Sequence, residues 1–425
     1  MRKLSIALLI VFLPALNFAQ NVNGRISSSL YSFERQNSLS ESEKYLRAFQ
    51  TLRLNLSEGQ FSIKSRVNVE ANITNKLVDD PRVRFYNLFV EARNIADIAT
   101  IKLGRQPLIN SIAGGVYDGA SLKLKHNGYS LSGFFGGNVP AYQKLEITDD
   151  WENDYVLGGK LVVTALEDFK FKAMYIDKNF KQTSYLASRL DASLNPIDTL
   201  IERNSLQYRY LSGEAAYSNA DYFDATVKYD YDVNLNTTSK VQFFGRLNYV
   251  EDFGFTLFYN YREPRVRYNS IFSVFDYGNT QEIEFGTDYK ITPMFTVVGK
   301  FANVSFKGDD SQRMTVGVNS NYGTIRYRKN FGYAGELDAV SVHTAKSFLK
   351  GLITPSIGLA YTNYKLSEDA EKNSIVTLLA GVNYRPIRLL SLDVQGQYLQ
   401  NKIYKNDLRL FVKLNFWFNT NLEMI

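Results

Sequence analysis

The stretch that decides the fold is residues 45–73, YLRAFQTLRLNLSEGQFSIKSRVNVEANI. Its apolar residues recur at nearly every second position, and polar or charged residues such as Arg53 occupy most of the positions between them. Successive side chains of a strand point to opposite faces, so the stretch predicts two strands, each with an apolar and a charged face. The dipeptide Glu58-Gly59 predicts the tight turn that joins them.

The same unit recurs from about residue 22 to residue 418. Short connections, such as Pro386-Ile387, alternate with longer ones, of which the longest spans residues 179–203. A soluble β-sandwich shares the alternation of side chains, but it has no reason to alternate short and long connections. Outer-membrane barrels have short periplasmic turns and long extracellular loops. The sequence therefore predicts an all-β fold, a transmembrane antiparallel up-and-down β-barrel.

The alternating runs number 22, which is the best estimate of the strand count, and any count from 16 to 22 is compatible with them. Eighteen strands result if two pairs of runs are each a strand and a folded-in loop. Barrels of 16 to 18 strands form open pores, whereas 22-stranded transporters carry a plug. The first run begins almost directly after residue 20, so we expect no amino-terminal plug.

Residues 1–20 have the features of a cleaved secretory signal. Arg2 and Lys3 precede an apolar stretch that ends near Leu16, and a cut is expected near Ala19. The apolar stretch is too short to cross a bilayer as a helix. Residues 21–425 show no linker and no change of composition, and we expect them to form one barrel domain in the outer membrane of a Gram-negative bacterium.

The composition excludes several classes of site. The chain has no cysteine, which excludes disulfides, thiolate metal sites and lipid attachment through cysteine. A net charge of +6 is too small to indicate nucleic-acid binding. The 29 tyrosines and 29 phenylalanines suit rings placed at membrane interfaces. The expected surroundings are outer-membrane lipid and lipopolysaccharide, and no cofactor is predicted.

Charged side chains cannot face hydrocarbon, so the polar face of each strand should line water inside the barrel. The candidate pore-lining residues are Arg47, Arg53, Lys64, Arg66, Lys102, Lys123, Lys125, Lys160, Lys172, Arg326, Arg328, Arg409 and Lys413. Two later strands carry mostly acids, including Asp230, Glu284 and Asp288. Either the lumen carries mixed charge simply to stay hydrated, or a basic wall opposes an acidic patch and favours anions.

The run LGRQPLINSIAGGVYDGASLKL, residues 103–124, resembles a segment of Gram-negative porin-type barrels, including the alginate-export family. This resemblance implies a monomeric or trimeric channel and, for that branch, a basic lumen that conducts an anionic polysaccharide. Arg105 falls on the apolar face, where lipid would exclude it. Either Gly104 marks a bulge that re-aims the side chain, or the strand has left the membrane there. We favour an arginine at the rim.

Two further resemblances are compositional. An outward apolar stripe from Leu408 to Phe418 resembles the terminal strand recognised by the outer-membrane assembly machinery, although residues 419–425 follow it. The signal ending and the abundance of Asn, Tyr and Lys resemble secreted proteins of the Bacteroidetes group. The first of these resemblances implies the assembly machinery as a partner.

No catalytic motif is present in the sequence, and an enzyme is not predicted. His343 lies near Ser341, but residues two apart on a strand merely share a face. The loop of residues 149–154 has enough oxygen atoms for calcium, although a solvated acidic loop is the preferred interpretation. No metal site is predicted.

The sequence thus predicts a passive channel for small hydrophilic, anionic solutes or oligosaccharides. The loops 137–153, 179–203 and 265–280 are the best candidates to fold inward and constrict it. One alternative is a non-conducting barrel that anchors a surface or secretion complex. Another is a hydrolase at the barrel rim that acts on lipid through His343.

Overall fold

The computed structural model describes residues 21–36, 42–74, 76, 80–108, 112–140, 145–180, 184–190, 195–202, 206–219, 222–264, 278–332, 335–366, 370–402 and 406–421. Nearly all of them belong to strands or to the turns between strands. The predicted signal, residues 1–20, lies outside the described residues and stays a prediction. Among the described residues, no helix is long and apolar enough to cross a bilayer.

The strands are β1 (Asn21–Gln36), β2 (Ser42–Glu58), β3 (Phe61–Asn72), β4 (Arg82–Ile95), β5 (Ala99–Pro107), β6 (Val116–His126), β7 (Tyr129–Val139), β8 (Tyr155–Val163), β9 (Phe169–Asn179), β10 (Ser184–Leu190), β11 (Pro196–Glu202), β12 (Leu206–Asn219), β13 (Phe223–Asp232), β14 (Thr237–Leu247), β15 (Phe253–Arg262), β16 (Thr280–Thr292), β17 (Phe295–Phe306), β18 (Asp309–Ser320), β19 (Gly323–Gly332), β20 (Leu337–Ala345), β21 (Ile353–Tyr364), β22 (Asn373–Ile387), β23 (Leu390–Gln400) and β24 (Asp407–Asn421). A short 3-10 turn, Leu349–Gly351, precedes β21.

Twenty-two of the described strands form one closed antiparallel sheet. Each strand pairs with the next along the chain, β9 pairs with β12, and β24 closes the ring on β1. Strands β10 and β11 pair only with each other, as a hairpin within the long connection after β9. The predicted barrel is confirmed, at the upper end of the predicted range of strand counts. Closure pairs each of these 22 strands on both sides, so the barrel itself has no exposed sheet edge.

Connection length segregates between the two rims, as predicted. The rim that holds both chain ends carries short turns, such as Asn127-Gly128 between β6 and β7. The other rim carries longer connections in most places, although the Lys307-Gly308 turn has two residues and the connections 233–236 and 333–336 have four each. On the first rim the longest connection is residues 346–352. The turn placed by sequence at Pro386-Ile387 was wrong, because both residues belong to β22 and the chain reverses at residues 388–389.

One face of the sheet is apolar and exposed. Leu131 and Phe285 on this face keep 55% and 58% of their surface accessible, and similar residues continue round the ring. A closed sheet satisfies its own backbone hydrogen bonds, so an exposed apolar band is stable only against lipid. Such a band on a closed antiparallel barrel is the architecture of Gram-negative outer-membrane proteins, and the chain spans that membrane.

Candidate functional site: the lumenal face

The face opposite the apolar band is polar, and in a closed barrel it is the lumenal face. Strand register shows which residues share it: Arg53 lies opposite Arg66, Lys102 opposite Ser121, and Lys123 opposite Ser132. Following these pairs round the ring places all thirteen predicted residues on this face. Their role in lining a conducting pore stays a prediction.

Most carboxylates on the lumenal face of the described strands are neutralised by neighbouring cations. Glu91 contacts Lys64 Nζ at 2.7 Å, Arg93 Nε at 3.1 Å and Lys102 Nζ at 3.3 Å. Glu70 contacts Arg47 at 3.1 Å. Two of the thirteen predicted cations, Lys64 and Lys102, therefore hold the same carboxylate, and their charge is partly cancelled.

The same neutralisation reaches the strands that carry most of the acids. On β16, Glu284 contacts Lys300 at 2.8 Å and Arg313 at 2.7 Å. Asp288 on that strand contacts Arg246 at 2.8 Å. These cations belong to β17, β18 and β14, so reading one strand at a time overstated the acidity of this wall. The sequence suggested an acidic patch opposite a basic wall. Because neighbouring cations neutralise most of its carboxylates, this patch carries much less net negative charge than the sequence suggested.

Many lumenal cations keep no carboxylate within ion-pair distance among the described residues. They are Arg25, Arg53, Arg66, Lys123, Lys125, Lys160, Lys170, Arg326, Arg328 and Lys413. Three lumenal acids, Asp224, Asp232 and Asp393, also have no cation within ion-pair distance among the described residues. Because the ten unpaired cations outnumber these acids, the lumenal face of the described strands is net basic. Low-dielectric walls focus such a field into the water between them.

The connection between β5 and β6 enters the barrel, which the sequence did not predict. Residues 108–115 join β5 to β6, and their Leu108 and Ala113 are buried against lumenal side chains, among them Ile176 and Tyr210. Lys178 Nζ donates a hydrogen bond to the Gly114 carbonyl oxygen at 2.7 Å. These contacts hold the described part of the connection inside the barrel as a constriction. The sequence did contain a signal for this inward position: the connection is apolar and contains glycine, although a loop at the rim should face water.

Below this constriction lies a cavity of about 450 Å³. Ile112 lines it together with Lys160, Lys172 and Glu214. Lys172 pairs with Glu214, whereas Lys160 has no carboxylate within ion-pair distance in the described ranges. The constriction thus places an apolar side chain beside an unpaired cation, on the path through the barrel.

Of the loops predicted to constrict the pore, the first does not do so in its described part, because residues 145–151 pack on the outer wall instead. From the second, residues 184–190 and 196–202 form the separate β10–β11 hairpin, and its role in constricting the pore stays a prediction. From the third, residues 265–277 lie outside the described residues. Whether a loop turns inward depends on partners distant in sequence, which its length does not reveal.

Arg105 lies two residues before the loop-side end of β5, as the rim interpretation expected, but its side chain is buried. Arg105 is only 6% exposed, and its Nε and Nη2 donate to both carboxylate oxygens of Asp118 at 2.7 and 2.8 Å. Nη2 also donates to the Glu146 carbonyl oxygen at 2.8 Å, and the Thr148 amide donates to Asp118 at 3.0 Å. Gly104 does not re-aim the side chain. The loop of residues 145–151 covers this outward ion pair and shields it from lipid.

The geometry offers no catalytic or metal site among the described residues. His343 lies on the exposed lumenal face opposite Thr324 and Gly358, and no hydrogen bond joins it to Ser341. No group of three His, Asp or Glu side chains in the described ranges is placed to hold a metal ion. In the acidic loop, Asn153 donates to the Asp150 carboxylate at 3.0 Å.

No family model and no curated protein matches the chain. Solved structures with similar folds include Acinetobacter baumannii OccAB4, at 11% identity over 94% of this chain and 98% of that one, with a TM-score of 0.45. The P pilus usher PapC translocation pore matches at 11% identity over 95% and 100%, with a TM-score of 0.46. Pseudomonas aeruginosa OpdK with vanillate matches at 11% over 95% and 100%, with a TM-score of 0.41. Similarity at this level carries no argument about function.

Proposed function

We propose that this barrel is a passive channel that admits small hydrophilic solutes and favours anions over cations, without energy coupling. The observation that carries the proposal is the imbalance on the lumenal face of the described strands, where most carboxylates are paired and the unpaired cations outnumber the unpaired carboxylates. Unpaired cations along a narrow aqueous path concentrate anions and repel cations. The narrower alternative of an anionic polysaccharide, implied by the resemblance of residues 103–124, stays a prediction.

The test is the reversal potential of the purified protein in a planar bilayer under a potassium chloride gradient. We expect discrete conductance steps and a several-fold preference for chloride over potassium. Because the preference arises from unpaired cations, the variant K123Q/K160Q/R326Q/R328Q should shift the reversal potential toward zero. Neutralising Lys350, which lies in the turn before β21, serves as the control and should leave the potential unchanged.

Two outcomes would contradict the proposal. A folded barrel that inserts into the bilayer and stays silent would instead favour the anchoring role, whose mark is copurification with partner proteins. Conduction with a preference for potassium would refute the anion preference while leaving a channel.

A further inference from the structure

Three arginines lie side by side on the lumenal face of β1, β2 and β3. Arg25 is directly opposite Arg53, and Arg53 is directly opposite Arg66. Residues opposite each other in an antiparallel pair have Cβ atoms about 4.5–5.5 Å apart, and like charges there are destabilising. None of the three has a carboxylate within ion-pair distance among the described residues. We call this row the arginine triad.

Aromatic rings flank the triad at its two ends. The Cζ atom of Arg25 lies 6.0 Å from the ring centre of Trp417, and that of Arg66 lies 4.8 Å from the ring centre of Tyr86. Stacking of this kind holds a guanidinium in place without neutralising it. Arg25 and Arg66 are half-buried, whereas Arg53 between them is exposed to the lumen. The accessible charge of the row is therefore centred on Arg53.

Hydrogen-bonding groups in the triad and beside it are unused. The Nε atoms of Arg25 and Arg66 are buried and have no hydrogen-bond partner, and the same holds for the amide oxygens of Asn55 and Asn87. All four residues line one cavity of about 710 Å³, together with Arg53. A cavity of this size accommodates a small organic ligand. The site combines the exposed guanidinium of Arg53 with unpartnered polar atoms on the residues around it.

We propose that the arginine triad binds the oxyanionic group of a solute, either a carboxylate or a phosphate. The planar guanidinium donates two parallel hydrogen bonds to such a group, and the bound charge removes the repulsion within the row. This inference rests on the proposed function, since it names the group by which the channel retains an anion. It differs from the general basic field because it requires three adjacent guanidinium groups at one place.

The test is calorimetric titration of the detergent-solubilised barrel with inorganic phosphate and, separately, with succinate, at constant ionic strength. We expect a saturable isotherm for at least one probe, and the probe that binds identifies the oxyanion. R53Q should weaken that binding at least tenfold. R53K keeps the charge but loses the two parallel N–H donors of the guanidinium, so it should also weaken binding. The matched control is R326Q, which removes an unpaired lumenal cation whose neighbours on β18 and β20 are Gly317 and Ser341.

Thermal unfolding provides a second readout of binding, which separates a loss of binding from a loss of stability in a variant. R53Q removes a like charge and should unfold at the same temperature or higher without ligand. The binding probe should raise the unfolding temperature of the wild-type protein and of R326Q, but not that of R53Q. Absence of saturable binding to both probes, or equal weakening in R326Q, would overturn the site. An anion-selective channel without saturable binding would refute the triad alone, whereas binding to a silent barrel would refute the channel alone.

Discussion

Replacing residues 108–115 with Asn-Gly is expected to raise the single-channel conductance several-fold. Pro107 and Val116 are the last paired residues of β5 and β6, so a two-residue turn can join these strands directly. The replacement removes Leu108, Ala113 and the Gly114 carbonyl that Lys178 holds inside the barrel. The lumen then loses its described constriction, and water and ions occupy that space.

The measurement is the size of the conductance steps in a planar bilayer. The matched control shortens the connection between β21 and β22, residues 365–372, in the same way, because Tyr364 and Asn373 are likewise paired. That variant should conduct like the wild-type protein. Equal conductance in both variants would show that residues 108–115 do not limit flow. The replacement also exposes to water the apolar residues that the connection covers, such as Tyr210, so the loop variant should unfold at a lower temperature.

Substituting Asp118 with Ala is expected to destabilise the barrel by about 3–5 kcal/mol, because it removes the buried carboxylate that accepts two hydrogen bonds from the Arg105 guanidinium. The side chains of Arg105 and Asp118 are 6% and 5% exposed. The change also frees the Thr148 amide, so residues 145–151 lose an anchor on the outer wall. The measurement is the temperature at which the folded barrel converts to its unfolded mobility on an SDS gel.

An exposed ion pair provides the matched control. Glu371 contacts Lys402 at 3.0 Å, and both side chains are largely exposed. Because water screens an exposed pair and leaves it little net effect on stability, E371A should unfold at nearly the wild-type temperature. Replacing both partners of the buried pair, as in R105M/D118L, should recover much of the lost stability, since no charge is left unpaired. If D118A unfolded at the wild-type temperature, the ion pair would have no structural role.

The strands were predictable because their signal is local. Each of the 22 runs inferred from alternation overlaps a strand of the barrel. The alternating apolar residues of 45–73 do face outward. Alternation also placed Arg105 correctly on the outward face. Its burial was not predictable, because the residues that cover it, 145–151, lie about forty positions further along the chain.

The site was predictable in part. Polarity alone assigned cations such as Arg53 and Lys160 to the lumenal face, because the two faces of a strand differ in composition. The pairing of Glu284 with Lys300 and Arg313 could not be read in the same way. It depends on which residues lie opposite each other across two neighbouring strands, and a shift of the register by two residues would change every partner.

The sequence by itself determined the barrel and the polarity of its two walls, since a strand's faces are set by neighbours in the chain. Only the tertiary structure decided which cations stay unpaired, which connection turns inward, and that three arginines stand in one row. These features arise from contacts between strands or loops far apart in sequence. The row itself requires strand register, because Arg25, Arg53 and Arg66 become neighbours only when β1, β2 and β3 pair.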